Sequence, residues 1–338
     1  MNNYSNNKKL FVLSVAILVS SLGLFSNAYG LTISPVRIEV AGDPGQTLSK
    51  EMVLVNENNI EEIFYPSFNN FEARGESGDP AFVEPRDGLG AWISTVPSIS
   101  LKAGESKLIP FTITIPKDAE PGGHFAVIFW GTDQSKLGEI NIGAKIGLLV
   151  LLSVNGDVKE EAGLLGFNTL DNQTWYNSLP VSFEYRFKND GGDRIKPQGE
   201  IIIRNTVFLA TEHLDANPIK GNVLPKSARK FKVAWIKYEH PKDYVAPTGF
   251  FKKFWSDARY QWKNFAVGLY SAKLNLEQNL TEKLEKETIF FFVFPWQLLI
   301  VIFVILLGGG FVLIAGIKRY NRWIVAQAQV IQQTNKNE

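Results

Sequence analysis

The chain has 338 residues, 35 Lys+Arg against 34 Asp+Glu, 45% hydrophobic residues and no cysteine. That apolar share excludes wholesale disorder and a multi-span membrane protein, and a near-zero charge leaves no electrostatic footprint for nucleic acid. The lack of cysteine removes disulfides, thiolate nucleophiles, zinc ribbons and iron–sulfur clusters together, while the length suits about two domains.

Taken in chain order, the first residues are polar and end in Lys8-Lys9, an apolar run follows over Leu10–Phe25, and Ala28-Tyr29-Gly30 places small residues at both key positions of a cut. Positive, apolar, then small-x-small is the order of a secretory signal peptide, here residues 1–30. The stretch 31–154 then carries seven short runs: Leu31–Ala41, Thr47–Asn56, Ile63–Glu72, Ala91–Ser94, Lys107–Ile115, His124–Trp130 and Lys145–Val154. Gly/Pro/Asp-rich turns such as Gly42-Asp43-Pro44-Gly45 separate them. Phe111, Ile113 and Ile115 alternate with Thr112 and Thr114, the period of a half-buried strand. Seven such strands predict an immunoglobulin-like sandwich with Trp92 and Trp130 in its core.

The stretch 155–288 repeats the theme. Val181, Phe183, Tyr185 and Phe187 alternate with polar residues, Asn189–Asp193 turns the chain, and apolar positions recur at Ile201/Ile203, Phe231/Val233/Trp235 and Tyr270–Leu276. A second sandwich is predicted, with Glu277–Thr288 as a polar linker behind it. An insertion over 238–264 breaks the β pattern. Within it, Phe251, Phe254, Trp255, Ala258, Trp262 and Phe265 keep helical spacing, with Lys252, Lys253, Arg259 and Lys263 off that face. Such a helix either lies on a membrane surface or caps the second sandwich.

From Ile289 to Ile317 no residue is charged. Pro295 suits the start of a helix, so a transmembrane helix is expected over 296–317, about 33 Å long against a hydrocarbon core of about 30 Å. Lys318, Arg319 and Arg322 follow at once and hold the 318–338 tail in the cytoplasm, with Trp296 at the outer interface. The charge divides with the domains: 31–154 holds 9 Lys+Arg and 16 Asp+Glu, whereas 155–289 holds 20 and 17. The fold class is therefore all-β, two immunoglobulin-like sandwiches plus one C-terminal transmembrane helix.

No catalytic constellation emerges. His124 lies in an apolar strand, and His213 and His240 sit in polar loops without metal-ligand spacing. No enzyme, cofactor or metal is expected.

The order of motifs resembles the WxL-interacting proteins of bacterial surfaces. It runs Ile33-Ser34-Pro35-Val36-Arg37, Pro44-Gly45-Gln46, Val53–Asn56, Trp92-Ile93, Pro116–Ala119 and Pro121-Gly122-Gly123-His124, then Phe187-Lys188-Asn189, Pro197-Gln198-Gly199, Val223-Leu224-Pro225, Gly268-Leu269-Tyr270 and the terminal span. The resemblance implies a membrane-anchored, non-enzymatic surface protein, with cell wall peptidoglycan as partner of the first domain and WxL-type or host surface proteins as partners of the second. His124 departs from the family pattern, where Tyr is expected. The first domain is also similar to pilus-chaperone sandwiches, in which two basic residues grip the carboxylate of a client that adds a strand. The matching positions are Arg37 and Lys145, which otherwise read as edge charges that discourage strand pairing. Wall binding or adhesion leads; a chaperone-like assembly factor and a structural subunit of a membrane complex are the alternatives.

Overall fold

The computed structural model describes residues 30–132, 145–206, 209–277 and 285–334. The expected signal peptide lies outside these, apart from Gly30. The chain divides into two compact units, the first ending at Val158 and the second running from Lys159 with Ala73–Asp79 added to it.

The first unit opens with β1 (Leu31–Ser34) and β2 (Arg37–Gly42). The sequence suggests one strand here. Pro35, preceded by a cis peptide bond, divides it, because proline has no N–H to give a ladder. The two halves pair in different sheets. β1 runs antiparallel to β3 (Thr47–Asn56), and β2 runs parallel to β10 (Lys145–Val154). Between them come β4 (Glu62–Arg74), β5 (Asp79–Val83), the single turn α1 (Leu89–Trp92), β6 (Ile93–Thr95), β7 (Ile99–Leu101), β8 (Ser106–Thr114) and β9 (Gly122–Gly131). One sheet has the order β1-β3-β8-β6; the other is β2-β10-β9-β4-β5 with β7 on β4. The alternation expected on β8 holds, with Ile109, Phe111 and Ile113 buried. They meet Ala126, Ile128, Trp130, Leu148, Val150 and Leu152 from the facing sheet. Trp130 is fully buried, while Trp92 packs at the edge of this core.

The second unit contains β11 (Ala162–Thr169), β12 (Trp175–Tyr176), β13 (Val181–Asn189), β14 (Gln198–Arg204), β15 (Ala210–Asp215), β16 (Ser227–Trp235), α2 (Phe250–Lys263), β17 (Gly268–Glu277), β18 (Glu285–Val293) and α3 (Trp296–Thr334). Its sheets are β11-β13-β16 and β12-β18-β17-β14-β15. Aromatic rings pack much of the core between these sheets. Tyr185 stacks on Phe231 at 4.9 Å, and Phe291 meets Phe183, Trp235 and Tyr270 at 5.6–6.1 Å. Burial pushes the Tyr185 hydroxyl well above its ordinary pKa, and it donates to the Ala216 carbonyl at 3.1 Å.

β18 corrects the sequence reading of 277–288 as a linker and of 288 as the end of the sandwich. Residues Glu285–Val293 form the last strand, paired with β17 from Leu276↔Glu285 to Gly268↔Val293. Phe291 and Val293 point into the core. Only Phe294 and Pro295 separate this strand from α3. The helix itself is 39 residues long, about 58 Å, and continues past Ile317 through Lys318, Arg319 and Arg322. It is long and apolar enough to cross a membrane, and only 6% of its most apolar window is covered by the rest of the chain. A core helix would be covered; Phe303, Leu306 and Phe311 are exposed.

Candidate functional site

Two places in the fold carry side chains singled out by the sequence. The first is the β2–β10 edge. Arg37 stands opposite Leu149, whereas Lys145 begins β10 four residues earlier. At about 3.3 Å per residue that offset is about 13 Å. The Arg37 guanidinium lies 3.3 Å from Glu39. The register thus offsets Arg37 and Lys145 along the sheet by four residues. What this edge provides is backbone. The β2 register with β10 begins at Leu149, so Lys145–Leu148 extend beyond it. The Leu149 N–H donates to the Val36 carbonyl at 3.0 Å. By the two-residue period of a strand, Gly147 turns its N–H and C=O to that same side.

The second place is the junction of α2 with the first turn of α3. Helical spacing leads to an aromatic face, and α2 forms over Phe250–Lys263 as the spacing suggests. Its contact with α3 is narrower than that face. Phe254 is half-buried with its ring 5.9 Å from Trp296, and Ala258 and Gln261 are buried. The Gln261 carboxamide donates through Nε2 to Oε1 of Gln297 and accepts the Leu298 N–H at 2.9 Å. Gln297 in turn donates to Asp257 at 3.3 Å. The first N–H groups of a helix lack partners within it, so α2 supplies an acceptor to one of them. Just past the C-terminal end of α2, buried Asn264 accepts the Lys237 and Tyr238 N–H groups and donates to the Tyr238 carbonyl.

The rest of the aromatic face is uncovered. Phe251, Trp255 and Trp262 are 76%, 60% and 66% exposed, so these rings do not cap the sandwich. Phe265, Leu269, Phe290 and Phe294 are exposed as well, and the pairing Leu269↔Phe292 places Leu269 at the end of the sheet from which α3 leaves. Lys318, Arg319 and Arg322 lie exposed on α3 beyond Ile317.

A groove of about 650 Å³ runs between α2 and the loop before it. His240 stacks on Tyr244 at 3.7 Å and on Tyr260 at 4.5 Å, and the Tyr244 and Ser256 hydroxyls share a hydrogen bond at 2.8 Å. Lys263 Nζ sits 3.9 Å from the centre of the Tyr238 ring. Burial, helped by the charge of Glu239, raises the Tyr260 pKa. Lys252 and Arg259 also line the groove, and no carboxylate does.

Each histidine is engaged separately. His124 Nε2 donates to the Glu120 carbonyl at 2.8 Å and its ring packs on Trp92, His213 contacts Glu200 at 2.8 Å, and His240 belongs to the stack above. Sequence reasoning missed Gln261, Gln297 and the ring stack. The available signal was a carboxamide at Gln261, three residues after Ala258, where an apolar face is otherwise continuous.

No family model matches the chain, and no curated protein matches it. Among solved structures it is similar to the Class 5 fimbriae chaperone CfaA, at 11% identity and a TM-score of 0.37, over 77% of this chain and 98% of that one. It is also similar to the YadV chaperone (9%, TM-score 0.32, 77% and 99%) and the E. coli chaperone DraB (9%, TM-score 0.31, 77% and 98%). The similarity to pilus-chaperone sandwiches expected from the sequence is thus found among solved structures. The likeness to WxL-interacting proteins is one of motifs alone and gains no support from these comparisons.

Replacing Gln261 by Leu tests the junction. The Leu298 N–H and the Gln297 carboxamide both lose a buried partner, at a cost of about 1–3 kcal/mol. We expect amide exchange along α2 to accelerate correspondingly, with β13 and β14 unchanged. Unaltered exchange in α2 would show that the carboxamide pair does not hold the helices together.

Proposed function

We propose that the protein is a non-enzymatic, single-pass membrane protein that holds its two sandwiches outside the cell and binds another surface protein. The observation that carries this reading is the passage, across two residues, from the last sandwich strand into an uncovered apolar helix. Lys318, Arg319 and Arg322 directly after the apolar stretch orient its C-terminal end to the cytoplasm. The partner adds a strand to the part of β10 around Gly147 that extends past β2, so that affinity comes from main-chain bonds.

The natural absence of cysteine makes the orientation directly measurable. In intact cells a membrane-impermeant maleimide should label Ser106→Cys and spare Asn321→Cys until the cells are lysed. Equal labelling of both removes the assigned topology.

For the partner, pull-downs from cell envelope with Gly147→Pro and Gly147→Ala separate the backbone donor from the added carbon. Proline removes the N–H that Gly147 turns to the edge, and we expect it alone to abolish retention. Retention that survives Gly147→Pro but disappears after muramidase digestion assigns the partner to peptidoglycan and overturns strand capture.

A further inference from the structure

The groove beside α2 has no part in strand capture, yet its chemistry is specific. At 100° per residue, Phe251, Trp255 and Trp262 fall within about 40° of one another around the helix, and Lys252, Arg259 and Lys263 occupy the adjoining sector. A stripe of large rings beside a stripe of cations is the arrangement of a helix lying in a bilayer interface. We propose that the groove binds the phosphate headgroup of an anionic membrane lipid. The inference rests on the reading that α3 spans a membrane.

Three observations support it. The first is height. Gln261 bonds the Leu298 N–H and Phe254 meets Trp296, so α2 is fixed to the turn at which the apolar span begins, and there the headgroups lie. The second is charge. Lys252, Arg259 and Lys263 line the groove without a carboxylate. A guanidinium offers phosphate two parallel N–H donors, and a lysine adds a point charge. The third is preorganisation. The His240–Tyr244–Tyr260 stack and the Tyr244–Ser256 bond hold the loop against α2, so little ordering remains to oppose binding. Phe251 and Trp255, at the lip of the groove, would meet the glycerol and upper acyl region.

The test uses the full chain in nanodiscs of phosphatidylcholine alone or with phosphatidylglycerol, and native mass spectrometry reads the lipid retained per protein. We expect selective retention of phosphatidylglycerol. We expect retention to weaken about 100-fold in Lys252→Gln/Arg259→Gln/Lys263→Gln and to persist in Lys318→Gln/Arg319→Gln/Arg322→Gln. If the first triple variant shifts the thermal midpoint, Arg259→Gln alone carries the test, with an expected loss of about 5-fold. Equal retention by the α2 variants and the parent would overturn the site. Binding of soluble glycerol phosphate as tight as that of the lipid would make the ligand a free phosphate and overturn the lipid assignment. A chain that does not enter the disc overturns the spanning reading itself. One that inserts without preferring phosphatidylglycerol overturns only the groove.

Discussion

Phe291→Ala should cost the second sandwich about 3–5 kcal/mol, while Phe290→Ala, one residue away, should change stability by no more than about 0.5 kcal/mol. The contrast follows from the period of a strand. Phe291 is 1% exposed and its ring meets Tyr176, Phe183, Trp235 and Tyr270. Truncation there removes the transfer energy of a phenyl ring and leaves a cavity that neighbouring rings are too rigid to fill. Phe290 points to the other face and is 56% exposed. Urea unfolding of the full chain in detergent, followed by tryptophan emission, measures both, with Trp235 as a reporter in the affected core. Equal small effects would mean that Glu285–Val293 is a linker after all, and the assignment of β18 would fall.

The second large effect is expected at Gly199. Its φ is +147°, and a Cβ built there lies 2.1 Å from the Asn275 carbonyl oxygen and 2.9 Å from the Leu276 Cα. Both obstacles are backbone, so no side chain can rotate away. Gly199 pairs with Leu276 of β17, the central strand of the five-stranded sheet, and Gly199→Ala must push β14 away from β17. Both strands deliver core residues, Ile201 and Ile203 from one and Leu274 and Leu276 from the other. A loss of about 3 kcal/mol is expected, with faster amide exchange in both strands. Gly166, in the β11 bulge, has nothing within 4 Å of its Cβ position, and Gly166→Ala should be close to neutral. Equal stability of the two variants would disprove the close approach at Gly199.

The architecture was legible because most strands alternate. The runs Thr47–Asn56 and Lys145–Val154 coincide with β3 and β10, and the helical period over Phe250–Phe265 coincides with α2 to within two residues. The failures have physical causes. Pro35 interrupts a ladder in the middle of a continuous strand-like run, Leu31–Ala41, so periodicity cannot see the change of sheet. β18 was hidden because Ile289–Phe294 is apolar on both faces, one turned to the core and one turned outward, and such a run merges with the span that follows it. Period also identifies a face without naming what covers it. The aromatic face of α2 was legible, but only the geometry separates the part seated on α3, Phe254, Ala258 and Gln261, from the rings left exposed. For Arg37 and Lys145, sequence places both on strands. That the two strands share a sheet, with a four-residue offset, is a matter of register between residues more than a hundred positions apart in the chain.

The two-residue joint between β18 and α3 has a mechanical meaning. On the proposed topology, any pull between a partner on the sandwiches and the bilayer enters the second sandwich through Val293. β18 lies between β17 and β12 and is held to β17 over nine residue pairs. A force along the strand therefore loads that ladder in shear, all its bonds at once, rather than peeling them open one by one. A tether built this way lets the anchor and the fold resist tension as one piece, and its weak point under load would lie elsewhere in the chain.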